Sequence, residues 1–120
     1  MRVLVIGGTG HIGSYLVPRL VLAGHDVTVV ARNPRPQYTD ERLAWTQVTW
    51  EVADRSAEEE AGTWAERMAG QETDAVIDLI TFRPEQNDVM MQAFAGHIEH
   101  FLHCGTIWSY GPTERAPYEE

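Results

Sequence analysis

The chain has 120 residues, 43% of them hydrophobic and 22% charged, with a formal net charge of −9. That balance is ordinary for a globular protein, and the length suits one domain, 1–120, burying about two thirds of its unfolded surface. The acidity and the lack of any lysine argue against a nucleic-acid binder, which needs clustered Lys and Arg. No apolar run nears the roughly 20 residues of a membrane span. Met1-Arg2 leads directly into a strand pattern, unlike a signal peptide. One cysteine, Cys104, excludes an internal disulfide framework and points to a reducing, cytoplasmic setting. The acidic run Glu58-Glu59-Glu60 reads as a solvated helix face and Glu119-Glu120 as a polar terminus.

Residues 2–6 predict a short buried strand. A glycine-rich turn follows, then a helix over 11–23 with Ile12, Leu16, Leu20 and Ala23 on its apolar face. Pro18 should kink or loosen that helix, and Gly24 should cap it. Val27 to Val30 reads as the second strand, joined to the first as a right-handed parallel βαβ unit. The stretch 32–42, with Pro34 and Pro36, reads as a loop. Alternation predicts a third strand over 45–50. An acidic amphipathic helix is expected over 57–69, with Ala57, Ala61, Trp64, Ala65 and Met68 inward. Ala75 to Ile80 predicts the fourth strand. Pro84 opens a helix to about Ala95 that buries Val89, Met90, Ala93 and Phe94, and Gly96 stops it. Ile98 to Cys104 predicts the fifth strand, followed by turn chemistry at Gly105, Gly111, Pro112 and Pro117. Such alternation predicts an α/β fold: a parallel sheet, helices on both faces, and a ligand at the carboxyl ends of the strands.

The turn Gly7-Gly8-Thr9-Gly10-His11-Ile12-Gly13 sits between strand and helix, where a dinucleotide pyrophosphate binds. One glycine makes the turn, one admits the phosphates and one brings the helix close to the strand. The N–H groups near His11 and Ile12 should face the phosphates. A ribose that carries free hydroxyls is usually held by an acid at the end of the second strand. Here that strand exits into Ala31-Arg32-Asn33, and Asp26 lies at its other end. Arg32, with Arg35 as a weaker second candidate, offers a guanidinium for a 2′-phosphate, which favours NADP(H) over NAD(H).

Three segments together resemble the extended short-chain dehydrogenase/reductases, and within them the NAD-dependent epimerase/dehydratase family. These are Gly7 to Gly13, Asp54-Arg55, and His103-Cys104-Gly105-Thr106-Ile107-Trp108-Ser109-Tyr110-Gly111. The resemblance implies a Rossmann-type doubly wound sheet of about five strands in the order 3-2-1-4-5. It implies adenine contacts from Asp54 and Arg55, although Asp54 alone also reads as a helix N-cap. Leu79 and Ile80 occupy the segment that backs the nicotinamide ribose, but with bulkier side chains than the family pattern. Thr106 corresponds to the hydroxyl that orients substrate.

The family's Tyr-x-x-x-Lys acid/base pair is absent. The chain has Tyr15, Tyr38, Tyr110 and Tyr118 and no lysine. It therefore resembles the first portion of a longer enzyme, lacking the last strands and the substrate region. The expected function is hydride transfer to or from a small alcohol, ketone or nucleotide-sugar-like substrate, without turnover by this chain alone. The alternatives are an NADP(H)-sensing regulator or scaffold of the atypical class, with partners that include RNA, and an independent nucleotide-binding module. An unpaired fifth strand would invite self-association as a homodimer. His97, His100 and His103 alternate across a strand and do not converge on a metal. Cys104 lacks the companions of a nucleophile.

Overall fold

The computed structural model describes residues 1–38 and 41–105. The elements are β1 (Arg2–Ile6), α1 (His11–Leu22), β2 (Asp26–Ala31), α2 (Arg42–Trp45) and β3 (Thr49–Val52). They continue with α3 (Arg55–Ala61), α4 (Trp64–Ala69), β4 (Ala75–Asp78), α5 (Pro84–Phe94) and β5 (His100–His103). The strands form one sheet in the order β3-β2-β1-β4-β5, and every pair is parallel. Val5 lies opposite Val29 on one side and Ile77 on the other. This is the expected doubly wound sheet, with β1 at its centre.

Period-two alternation in β1 feeds two cores. Val3 and Val5 join Val17, Val21, Val27, Val29 and Trp45 under α1 and α2. Leu4 and Ile6 face the other way and pack with Trp64, Met68, Val76, Met90 and Phe94 under α4 and α5. Among the described residues no helix is long and apolar enough to cross a membrane.

Local geometry corrects several expectations. α1 buries Gly13, Ser14, Val17, Pro18 and Val21, while Ile12 is 52% exposed and Ala23 is exposed. Its small residues, not its largest, face the sheet, because helix and turn are in backbone contact there. The helix runs through Pro18 without a break. Gly24 adopts φ +87° just past the helix, its N–H bonded to the carbonyl of Val21 at 2.9 Å, the expected stop signal.

The third strand is Thr49–Val52, not 45–50, and Arg42–Trp45 is one helical turn. Trp45 is buried there and stacks on Trp50 with ring centroids 5.7 Å apart. The helix expected over 57–69 is two helices. Gly62 takes φ +75° and its N–H bonds to the carbonyl of Glu59, while the Thr63 N–H bonds to that of Glu58. Trp64 and Met68 are buried as expected, whereas Ala57, Ala61 and Ala65 are exposed. β4 ends at Asp78 because the Asp78 carboxylate accepts from the N–H of Ile80 at 3.1 Å and turns the chain out of the strand.

Candidate functional site

The turn after β1 lies at the carboxyl edge of the sheet and is fixed by contacts only glycine permits. Gly7 has φ +79°, and a Cβ on it would lie 2.6 Å from Cγ2 of Ile80. Its N–H donates to the carbonyl of Val30 at 3.0 Å. A Cβ on Gly13 would lie 2.2 Å from the carbonyl oxygen of Gly8, so this glycine sets the approach of α1 to the turn. A Cβ on Gly8 would lie 2.9 Å from Cγ1 of Val29, a packing role the G-x-x-G-x-x-G pattern does not reveal. At Gly10 the nearest atom, the carbonyl oxygen of Gly7, would be 3.5 Å away, an ordinary contact, so that position has room for a side chain. Among the described residues, no acceptor meets the N–H groups of His11, Ile12 and Gly13. They are the unsatisfied donors of a helix N-terminus.

A cavity of about 400 Å³ opens beside this turn. Gly7, Thr9 and Gly10 form one side, Arg32, Asn33 and Arg35 another, and Asp54, Arg55 and Ser56 a third. Ile80 and Phe82 close it from the exit of β4. The fold therefore brings together eight of the expected residues: Gly7, Thr9, Gly10, Arg32, the second candidate Arg35, Asp54, Arg55 and Ile80. His11, Ile12 and Gly13 lie outside the lining. His11 contacts the Tyr38 hydroxyl through Nδ1 at 3.2 Å. Leu79 packs on the α1 side of the sheet, away from the cavity. Thr106 and the segment through Gly111 lie outside the described residues.

Asp54 caps α3, accepting from the N–H of Ala57 at 3.2 Å. The guanidinium of Arg55 is turned inward and is only 5% exposed as a residue. Its Nη1 lies 2.9 and 3.1 Å from the two carboxylate oxygens of Asp78 and 3.2 Å from Thr81 Oγ1. Its Nε donates to Glu59 at 2.6 Å, and the group sits 5.4 Å from the Trp64 ring centroid. Burial works to raise the Glu59 carboxyl, but hydrogen bonds from Arg55 and Gln86 and the charges of Arg55 and Arg83 hold it below the ordinary range. Gln86 also accepts from the N–H of Phe82 at 3.0 Å, which fixes the loop after β4. One sequence signal points to this network. Asp78 sits inside the apolar run Ala75 to Ile80, and a carboxylate buried there requires a cation.

A parallel sheet in this order, with a glycine turn and a cleft at its carboxyl edge, defines a Rossmann-type domain. The chain belongs to the NAD dependent epimerase/dehydratase family, whose model matches residues 3–120. It is 29% identical over all 120 residues to the 2′-dehydrokanamycin reductase of Streptomyces kanamyceticus, 32% of whose length is covered. It is 47% identical over 49 residues to the epimerase family protein SDR39U1 of Bos taurus, covering 41% of this chain and 15% of that protein. The chain thus spans a third or less of these relatives. Its fold matches the UDP-glucose-4-epimerase of Stenotrophomonas maltophila, solved with bound NAD and formylated UDP-arabinopyranose. The TM-score is 0.65 at 22% identity, over 98% of this chain and 40% of that one.

The residues present fit a dinucleotide. The turn has no side chain at Gly7 and Gly10, free amides stand at the start of α1, and two arginines line the same cavity.

Proposed function

We propose that this chain is the cofactor-binding portion of an oxidoreductase and prefers NADP(H) to NAD(H). The observation that carries the preference is the wall formed by Arg32 and Arg35 where β2 leaves the sheet, with no carboxylate from that exit lining the cavity. Gly7, Thr9 and Gly10, with the free amides of His11, Ile12 and Gly13, would hold the pyrophosphate. Asp54 and the adjoining backbone would meet the adenine, and Ile80 would pack beside the nicotinamide ribose. Arg55 would support the adenine wall from below, because its guanidinium is engaged with Asp78 and Glu59.

When bound, the nicotinamide supplies or accepts the hydride. Thr106 would orient the oxygen of a small alcohol, ketone or nucleotide-sugar-like substrate. The similarity of the whole chain to a reductase supports reduction over epimerisation. The Tyr-x-x-x-Lys pair is not in this sequence, so the chain alone should bind cofactor without turnover.

Calorimetric titration with NADPH and NADH tests the reading. Two charge-assisted contacts to a 2′-phosphate predict an NADPH preference of about tenfold or more. Arg32→Ala should remove most of it. Equal affinities, or a preference for NADH, would overturn the assignment.

A non-catalytic NADP(H) sensor is the second reading. It is favoured by the bulk of Ile80 against the Gly7 turn, where small residues are the family pattern. NADPH oxidation driven by carbonyl compounds, in a longer protein containing this chain, would exclude it.

A further inference from the structure

The stretch between β2 and α2 reads from sequence as an ordinary loop, yet its part from Val30 to Tyr38 is fastened to the glycine turn at both ends. At one end the Gly7 N–H bonds to the carbonyl of Val30. At the other, the Gln37 N–H donates to the carbonyl of Thr9 at 2.9 Å. The next residue doubles that attachment. The Tyr38 N–H donates to Ser14 Oγ at 3.3 Å, and Ser14 Oγ donates to the same Thr9 carbonyl at 3.4 Å. The Tyr38 ring meets His11 edge-on at 5.5 Å and lies 5.6 Å from Tyr15.

Between these anchors lie Arg32 and Arg35. Pro34 and Pro36 restrict φ on both sides of Arg35, whose N–H turns back to the carbonyl of Asn33 at 2.7 Å. Both arginines line the cavity, and neither has an acidic partner among the described residues. A loop tied at both ends has little conformational freedom left to lose when a ligand is seized. Two guanidiniums without an acidic partner among the described residues, carried on a backbone so anchored, suit a dianionic phosphate.

We propose that Tyr38 and Ser14 are positioning residues for 2′-phosphate recognition: they lock the arginine-bearing loop onto the turn that cradles the pyrophosphate. Phosphate recognition at the ribose and at the pyrophosphate is thereby joined through the Thr9 carbonyl. This rests on the NADP(H) reading above and adds the residues that set its selectivity.

The test measures dissociation constants of NADPH and NADH, with thermal midpoints, for the 120-residue chain and its Arg32→Ala, Tyr38→Ala, Ser14→Ala and Tyr38→Phe variants. Tyr38→Ala and Ser14→Ala should weaken NADPH about tenfold while NADH changes much less. Tyr38→Phe keeps the ring contacts and both backbone bonds, so its NADPH/NADH ratio should stay within about threefold of the parent. An unchanged ratio in both Tyr38→Ala and Ser14→Ala, with Arg32→Ala losing the NADPH preference, overturns the latch and leaves the NADP(H) reading standing. Equal losses for both cofactors also overturn it, since they mark plain support of the fold. An Arg32→Ala variant that binds NADPH like the parent overturns the NADP(H) reading and the latch together. Should one latch variant fail to fold, the other gives the answer.

Discussion

Arg55 Nη1 lies 2.9 and 3.1 Å from the two carboxylate oxygens of Asp78, although β3 and β4 are separated in the sheet by β2 and β1. The pair therefore spans the floor of the candidate site and joins the turn after β3 to the exit of β4. Removing one partner strands a buried charge. Asp78→Asn or Arg55→Met should each cost about 3 kcal/mol in urea unfolding. The double variant Arg55→Met/Asp78→Leu should cost less than the sum of the two single losses. Additive losses would show that the pair is not coupled.

The two glycines that flank His11 and Ile12 should respond differently to the same added methyl. Gly13→Ala sets a Cβ 2.2 Å from backbone oxygen, so α1 must shift, at about 1–3 kcal/mol. Gly10→Ala has its nearest neighbour at 3.5 Å and a permissible φ of −75°. It should unfold within about 1 kcal/mol of the parent yet bind cofactor more weakly, since its methyl enters the cavity. Paired denaturation and binding curves separate the two effects.

The break between α3 and α4 depends on one left-handed residue. Gly62→Ala should cost about 1–2 kcal/mol, because φ +75° brings a Cβ against the following carbonyl. Open space around that position excludes a packing contribution. Gly62→Asn should recover part of the loss, as asparagine tolerates this region. Equal stability of the three proteins would show that the helices reconnect when glycine is replaced.

Acid should weaken the fold at the amino edge of the sheet. Hydrogen bonds from the side chain and backbone N–H of Arg2 pull Asp74 from 3.8 to about 2. A depressed carboxyl contributes stability that is complete above its unfolded value and is lost as pH falls through its folded one. The loss from Asp74 therefore falls between roughly pH 4 and pH 2. Glu59, lowered by Arg55 and Gln86, acts in the same direction. Asp74→Asn should flatten the decline in unfolding midpoint over that window. An unchanged slope would remove Asp74 from the account.

The strands and the turn were legible because β1 alternates cleanly between two cores, while Gly7 needs a positive φ and Gly13 meets backbone where a Cβ would stand. The buried face of α1 was not, since hydrophobic spacing marks large residues while close approach selects Gly13 and Ser14. Gly62 inside a helical pattern reads as a small cost until its φ is seen. The alternation over 45–50 misplaced the third strand because Trp45 ends α2 and stacks from there on Trp50 of β3. In the site, the glycine turn and the Arg32 exit of β2 were visible as local motifs. The inward turn of Arg55 and the anchoring of Tyr38 were not, because both depend on partners more than 20 positions away.

The central position of β1 bears on how the protein is made. Val3 needs Val27 on one side and Ala75 on the other. At translation speeds of about 5–20 residues per second, the second edge of β1 waits roughly 4 to 14 s after synthesis for its neighbour. Throughout that interval Leu4 and Ile6 lack Val76 and Met90, their partners in the second core. The nascent chain is thus a half-sheet with one open apolar flank, and this is the stage at which a chaperone would find the most to hold.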